Sequence, residues 1–284
     1  MPFNLPGILV PFHLLVHPRL VLPAIVVKDI RQIDFPALYS AGYRGAVFDK
    51  DNCLTVPHED RLVPELVDAW RECRETFGPD NVLIVSNTAG SHLDIGSIEA
   101  ESVSHHLSAP VLRHSALKPS YACINAVRAY FASLPRPVRD DELVVVGDRL
   151  FTDVVMANRM ARRVPSSPSS LPSPLPAESD SEKTKLLLHD DDANGAPARP
   201  AHTGPLAIWT TRLWKRENGA LRALERAVLE GVERGVLQPQ ERAWREGLRR
   251  RFVRPVQGEE GEEKAGEGKG KEGWVGRLVR RFRG

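Results

Sequence analysis

The stretch YRGAVFDKDNCL, residues 43–54, decides the reading of this chain. Its apolar run Tyr43–Phe48 has strand character and stops on Asp49 and Asp51, so a strand delivers two carboxylates at its carboxyl end. The same arrangement recurs downstream. Asn81–Val85 (NVLIV) ends in Ser86-Asn87, and Leu143–Val146 (LVVV) ends in Gly147-Asp148 with Asp153 shortly after. Ala109–Arg113 (APVLR) reads as a further short strand, followed by Lys118. Between these runs, Pro64–Thr76 places Leu66, Ala69, Trp70 and Cys73 at helical spacings of three and four. Pro119–Leu134 reads as a helix with proline in its first turn, and Asp153–Arg162 as another helix. Unbroken apolar strands alternating with helices predict an α/β fold, a three-layer Rossmann-like parallel sheet buried on both faces. In such open sheets the carboxyl ends of the strands form the ligand crevice.

Working outward, residues 1–31 form an apolar segment with no Asp or Glu before Lys28, interrupted by Pro2, Pro6, Pro11, Pro18 and Pro23. It reads as a targeting or membrane-peripheral segment. Residues 164–205 are Ser/Pro-rich, then acidic at Asp190-Asp191-Asp192, then rich in Ala, Pro and Gly, the composition of a disordered insertion. Leu206–Thr210 (LAIWT) resumes the strand pattern, so the main domain is expected over 32–214 with the insertion inside it. A charged helical extension follows over 215–258, with Ala220–Arg251 as its helix. Residues 259–284 are a Gly/Glu/Lys linker and a tail, GWVGRLVRRFRG. There Trp274, Leu278 and Phe282 share one helical face among Arg277, Arg280, Arg281 and Arg283, as in an interfacial basic helix.

The net charge of +2 gives no reason to expect nucleic-acid binding. Cys53, Cys73 and Cys123 lack metal or disulfide spacing, which points to a reducing compartment. His58, His92, His105, His106 and His114 show no metal-type pairing, and no apolar run is long enough for a transmembrane helix.

The polar residues at the strand ends suit phosphoryl transfer. A carboxylate such as Asp49 attacks phosphorus and splits the reaction through an aspartyl-phosphate. Asp51 is placed to protonate the leaving group and then to activate water. Ser86 and the Asn87 amide donate to phosphate oxygens, and Lys118 neutralises charge on Asp49 and the phosphoryl group. Mg²⁺ takes oxygen ligands, for which Asp49 and Asp148 are candidates. Asp153 supports Lys118 or a metal-bound water. Each residue alone has an ordinary alternative: a turn aspartate, a Ser-Asn turn, a solvated lysine, a helix cap. Their joint order along the chain carries the argument.

That order resembles the haloacid-dehalogenase superfamily of phosphohydrolases over roughly residues 32–214. Its DxDx(T/V)L motif is matched by Asp49–Leu54, with Cys53 where Thr or Val is commoner. Its later motifs are matched by Ser86, by Lys118 and by a GDxxxxD form running from Gly147-Asp148 to Asp153. FDKDNCLT (48–55), SNTAG (86–90) and GDRLFTDVVMAN (147–158) are more closely similar to the mitochondrial phosphatidylglycerophosphatases of fungi and plants. The resemblance implies a capless, Mg²⁺-dependent phosphoric monoester hydrolase, with the backbone carbonyl of Asp51 as a further metal ligand. It implies conversion of phosphatidylglycerophosphate to phosphatidylglycerol in cardiolipin biosynthesis. The expected location is peripheral, on the matrix side of the mitochondrial inner membrane, with phospholipid as the partner. The alternatives are a soluble phosphomonoester or nucleic-acid end as substrate, a receiver-like phosphoacceptor, and a membrane scaffold.

Overall fold

A computed structural model describes residues 16–161, 204–215 and 219–255. The start of the apolar segment, nearly all of the Ser/Pro-rich stretch and the basic tail lie outside the described residues. Five strands form one sheet: β1 (Ile25–Val27), β2 (Gly45–Phe48), β3 (Val82–Ile84), β4 (Leu143–Gly147) and β5 (Leu206–Thr210). They lie in the order β1-β5-β4-β2-β3, and every pairing is parallel.

Side chains alternate across this sheet and feed two cores. Ala46, Phe48, Val82, Ile84, Val144, Val146 and Ile208 face one side. Val47, Leu83, Leu143, Val145, Ala207 and Trp209 face the other. With both faces dry, the strands need no polar alternation, which is why they read as continuous apolar runs.

The first core is covered by α1 (Phe35–Ser40), α2 (Val67–Phe77) and α3 (Ile98–Leu107), and the second by α4 (Tyr121–Ala132) and α5 (Val155–Ala161). Local sequence sets their ends. Asp34 caps α1 by accepting from the Ala37 amide at 2.9 Å, and Ser120 caps α4 by accepting from the Cys123 amide at 3.2 Å. Trp70, Cys73 and Phe77 form the buried stripe of α2. All three cysteines are buried and free.

Several expectations need correction. Ala109–Arg113 is no regular strand. It makes one bridge, Val111 to Ile84, because Pro110 has no amide to donate to a ladder. The helix expected from Pro119 starts at Tyr121, since Ser120 takes the cap. Leu150–Val154 is one wide turn that precedes α5. The sheet also begins before residue 32, because β1 pairs with β5 at its edge.

The charged run 220–251 divides into α6 (Gly219–Val236) and α7 (Pro239–Phe252), and both close onto the domain. Leu229 of α6 packs with Leu20, Val21 and Leu22 in the second core. Phe252 of α7 meets the Tyr43 ring edge-on at 6.3 Å, and its carbonyl accepts from the Asp34 amide at 2.9 Å. Arg254 then bonds Asp34 at 2.7 Å and Glu72 at 3.0 Å. Among the described residues, no domain is inserted between β2 and α2 or between β3 and α3, and no helix is long and apolar enough to cross a membrane.

Candidate active site

The carboxyl ends of β2, β3 and β4 converge, because parallel strands in this register point the same way. They bring together Asp49, Asp148 and Asp153, whose carboxylate oxygens lie within 4.8 Å of one another. Lys118 reaches into this group from the segment before α4. Its Nζ donates to Asp49 Oδ1 at 2.6 Å and to Asp153 Oδ1 at 2.7 Å. Burial opposes the ammonium charge, but Asp153 and Asp49 beside it outweigh that and raise its pKa well above the usual lysine range.

Asp153 is fully engaged, since its Oδ2 also accepts from the Arg149 amide at 3.2 Å. It shares the Lys118 ammonium with Asp49. The wide turn makes this possible. The amides of both Asp153 and Val154 donate to the Arg149 carbonyl, at 3.1 and 3.4 Å, and this swings the Asp153 side chain back over Gly147. A Cβ on Gly147 would sit 2.5 Å from Asp153 Oδ2, so only glycine fits beneath it. Gly147→Ala is expected to push Asp153 off Lys118 and cut turnover at this site by roughly ten- to hundredfold, the usual cost of disturbing a supporting group. Steady-state rates with a folding control by circular dichroism check this.

Asp148 is the most buried of the set. Burial and then the charge of Asp49 push its carboxyl well above the ordinary range, against the pull of Arg222. Its Oδ1 is buried with no hydrogen-bond partner. An orphaned oxygen on a buried carboxylate grouped with two others is the environment a hard dication relieves. The donor set suits a hard divalent cation, with Asp49 and Asp148 as side chains that could hold one. The Asp51 carboxylate is not in this cluster.

Asp51 instead stands at the rim. Its Oδ1 accepts from the His58 amide at 3.1 Å and pairs with Lys50 Nζ at 3.0 Å, while its Oδ2 accepts from Thr88 Oγ1 at 3.3 Å. Ser86 Oγ lies 3.0 Å from Thr88 Oγ1 and accepts from the Thr88 amide. The Asn87 side chain accepts from the Lys118 amide at 2.7 Å, so it ties the two segments together, while its backbone amide is the group expected to meet phosphate.

Sequence reasoning missed four neighbours. Lys50 is fully buried and pairs with Asp51 and Glu99, but a lysine between two aspartates reads as solvated. Thr88 links Ser86 to Asp51, and His114 bridges the Ser86 and Ala116 carbonyls at 2.9 and 2.8 Å. Arg222 of α6 grips Asp148. The only signal for Arg222 was its spacing with Glu225 and Leu229, three and four residues apart on one face.

The chain is also similar in sequence to known proteins. A family model described as mitochondrial PGP phosphatase matches residues 5–164. The mitochondrial phosphatidylglycerophosphatase of Saccharomyces cerevisiae is 39% identical over 157 residues, covering 55% of this chain and 83% of the yeast protein. A phosphatidylglycerophosphate phosphatase of Arabidopsis thaliana, named as chloroplastic and mitochondrial, is 37% identical over 158 residues, covering 55% of this chain and 43% of that protein. The chloroplastic enzyme of Chlamydomonas reinhardtii is 41% identical over 141 residues, covering 49% of this chain and 50% of that protein. No solved structure matches.

Proposed function

This chain belongs to the mitochondrial PGP phosphatase family, and from that we propose that it hydrolyses the terminal phosphate monoester of phosphatidylglycerophosphate, giving phosphatidylglycerol. The single observation that carries the mechanism is the Lys118 ammonium bonded to both Asp49 and Asp153 at the carboxyl edge of the sheet. It orients Asp49 and lowers the repulsion between that carboxylate and an incoming phosphate dianion.

In the proposed reaction a carboxylate oxygen of Asp49 forms a bond to phosphorus as the ester P–O bond breaks. Asp51, as general acid, passes a proton to the departing glycerol oxygen. Its resulting carboxylate then takes a proton from water as that water attacks the phosphoryl group, releasing inorganic phosphate and free Asp49. Ser86 Oγ and the Asn87 amide hold the phosphate oxygens. When bound, Mg²⁺ supplies charge neutralisation for the phosphoryl group. We read the fold as a capless haloacid-dehalogenase-like core, in keeping with the short connections after β2 and β3.

A lipid headgroup suits the mouth of this site. The loop after Ser86 is tied back to it by Ser91 Oγ donating to the Thr88 carbonyl at 2.8 Å, and by Glu99 pairing with Lys50 at 3.2 Å. On that loop Leu93 and Ile95 are 38% and 87% exposed, and Ile98 at the start of α3 is 74% exposed. Single exposed apolar residues are ordinary, but three in one short stretch beside a phosphate site suit contact with acyl chains. This supports peripheral binding to a membrane. Relatives named mitochondrial support that organelle, and the matrix face of its inner membrane is our proposal within it.

The test is release of phosphate from phosphatidylglycerophosphate in vesicles, with Mg²⁺ and with a chelator, beside p-nitrophenyl phosphate. Preference for the soluble ester would overturn the lipid assignment. The Ile95→Glu/Ile98→Glu variant is expected to lose roughly a hundredfold or more of its activity on vesicles, given about 1.5–3 kcal/mol for each of the two isoleucines when buried. Its rate on p-nitrophenyl phosphate should stay unchanged.

A further inference from the structure

We infer that Arg222 is a positioning residue that holds the Asp148 carboxylate in the orientation the metal needs, so that helix α6 completes the active site. This rests on the metal-dependent reading above. The family match stops at residue 164, well before α6, so nothing in that match assigns Arg222 a part.

The grip is two-pronged. Arg222 Nη1 donates to the Asp148 backbone carbonyl at 2.8 Å, and Nη2 donates to Asp148 Oδ2. The Asp148 carbonyl also accepts from Trp209 Nε1 at 2.9 Å, which fixes the backbone from the β5 side. With the main chain and Oδ2 both held, the remaining oxygen, Oδ1, has one direction left to it. That oxygen is the buried one without a partner, on a carboxylate that brings one oxygen within 4.8 Å of an oxygen from each of Asp49 and Asp153.

The helix that delivers Arg222 is itself anchored at the site. Glu225 is buried and accepts from the Phe151 amide at 3.3 Å, inside the wide turn that carries Asp153. Leu229, one turn on, packs in the core. One face of α6 therefore supplies a guanidinium to Asp148, a carboxylate to the Asp153 turn and an apolar side chain to the interior.

A buried ion pair kept only for stability is a poor investment in desolvation and is expected to satisfy both carboxylate oxygens. Here one oxygen is held and the other left bare, the pattern of an outer partner orienting a metal ligand. Three carboxylates meet Lys118 and Arg222 at this point, so acidic groups outnumber the cations where a dication would sit.

The test uses the full chain and its Arg222→Met and Arg222→Lys variants, with Mg²⁺ binding measured by calorimetry and by the rise in melting temperature on adding Mg²⁺. Arg222→Met is expected to weaken Mg²⁺ binding by roughly ten- to hundredfold. Arg222→Lys, which keeps the charge but not the fork, should fall between that variant and the wild type. If Arg222→Met binds Mg²⁺ as tightly as the wild type or more tightly, the guanidinium only balances charge and the inference is overturned. Should Arg222→Met fail to fold, Arg222→Lys decides, and wild-type affinity in it overturns the inference. A wild-type chain that takes up no Mg²⁺ refutes the metal reading itself and this role with it, a result distinct from a variant that merely matches the wild type.

Discussion

Asp49→Asn is expected to remove phosphatase turnover almost entirely, by roughly 10⁴- to 10⁶-fold, the range seen when a hydrolase loses its nucleophile or base. The amide matches the carboxylate in size, so the strand end and its hydrogen bond to Lys118 at 2.6 Å can persist. What is lost is the anionic oxygen that bonds phosphorus. Single-turnover assays with labelled phosphatidylglycerophosphate should show phosphate on the wild-type protein after an acid quench and none on the variant. Retained turnover in Asp49→Asn would end the nucleophile assignment. Labelled wild-type protein without phosphate release would favour a phosphoacceptor over an enzyme.

Lys118→Met carries the second large effect, and it acts on stability as well as rate. Lys118 and Asp153 are each almost wholly buried, and Asp49 is nearly so. Removing the cation leaves Asp153 and Asp49 facing Asp148 with a shared cation gone. Breaking a buried pair from one side costs about 3–5 kcal/mol, which for a domain of this size lowers the melting temperature by roughly 10 °C. Activity should fall with it, because Asp49 loses its orientation and the phosphate loses a counter-charge. The Lys118→Met/Asp153→Asn double variant is expected to regain part of the stability, since it removes a stranded carboxylate, but none of the activity. If chemical denaturation shows the single variant to be as stable as the wild type, the buried cluster is not held by Lys118.

Much of this was legible along the chain. A buried parallel strand writes itself as a short apolar run, and the residue after it lands at the crevice. Asp49, Asp51, Ser86, Asn87, Lys118, Asp148 and Asp153 could therefore be named from spacing and order. Where local pattern misled, a specific competitor prevailed. Pro110 kept Ala109–Arg113 from forming a regular strand, and Ser120 took the cap from Pro119. The edge strand Ile25–Val27 was hidden because its short apolar run sits in a longer apolar segment, with Val26 turned outward.

The sequence by itself determined the central strands β2, β3, β4 and β5, their carboxyl edge and the residue types gathered there, because those follow from periodicity and from chain order within one parallel sheet. Only the tertiary structure decided how the residues divide the work. It put Asp51 at the rim with Thr88 and Lys50, closed Asp153 onto Lys118, and left one oxygen of Asp148 bare. It also turned a charged C-terminal helix into part of the site, through Arg222. Such pairings depend on distance in space between segments far apart in the chain. Spacing along the chain carries no record of that distance, and a buried arginine and a solvated one read alike until the fold surrounds one of them.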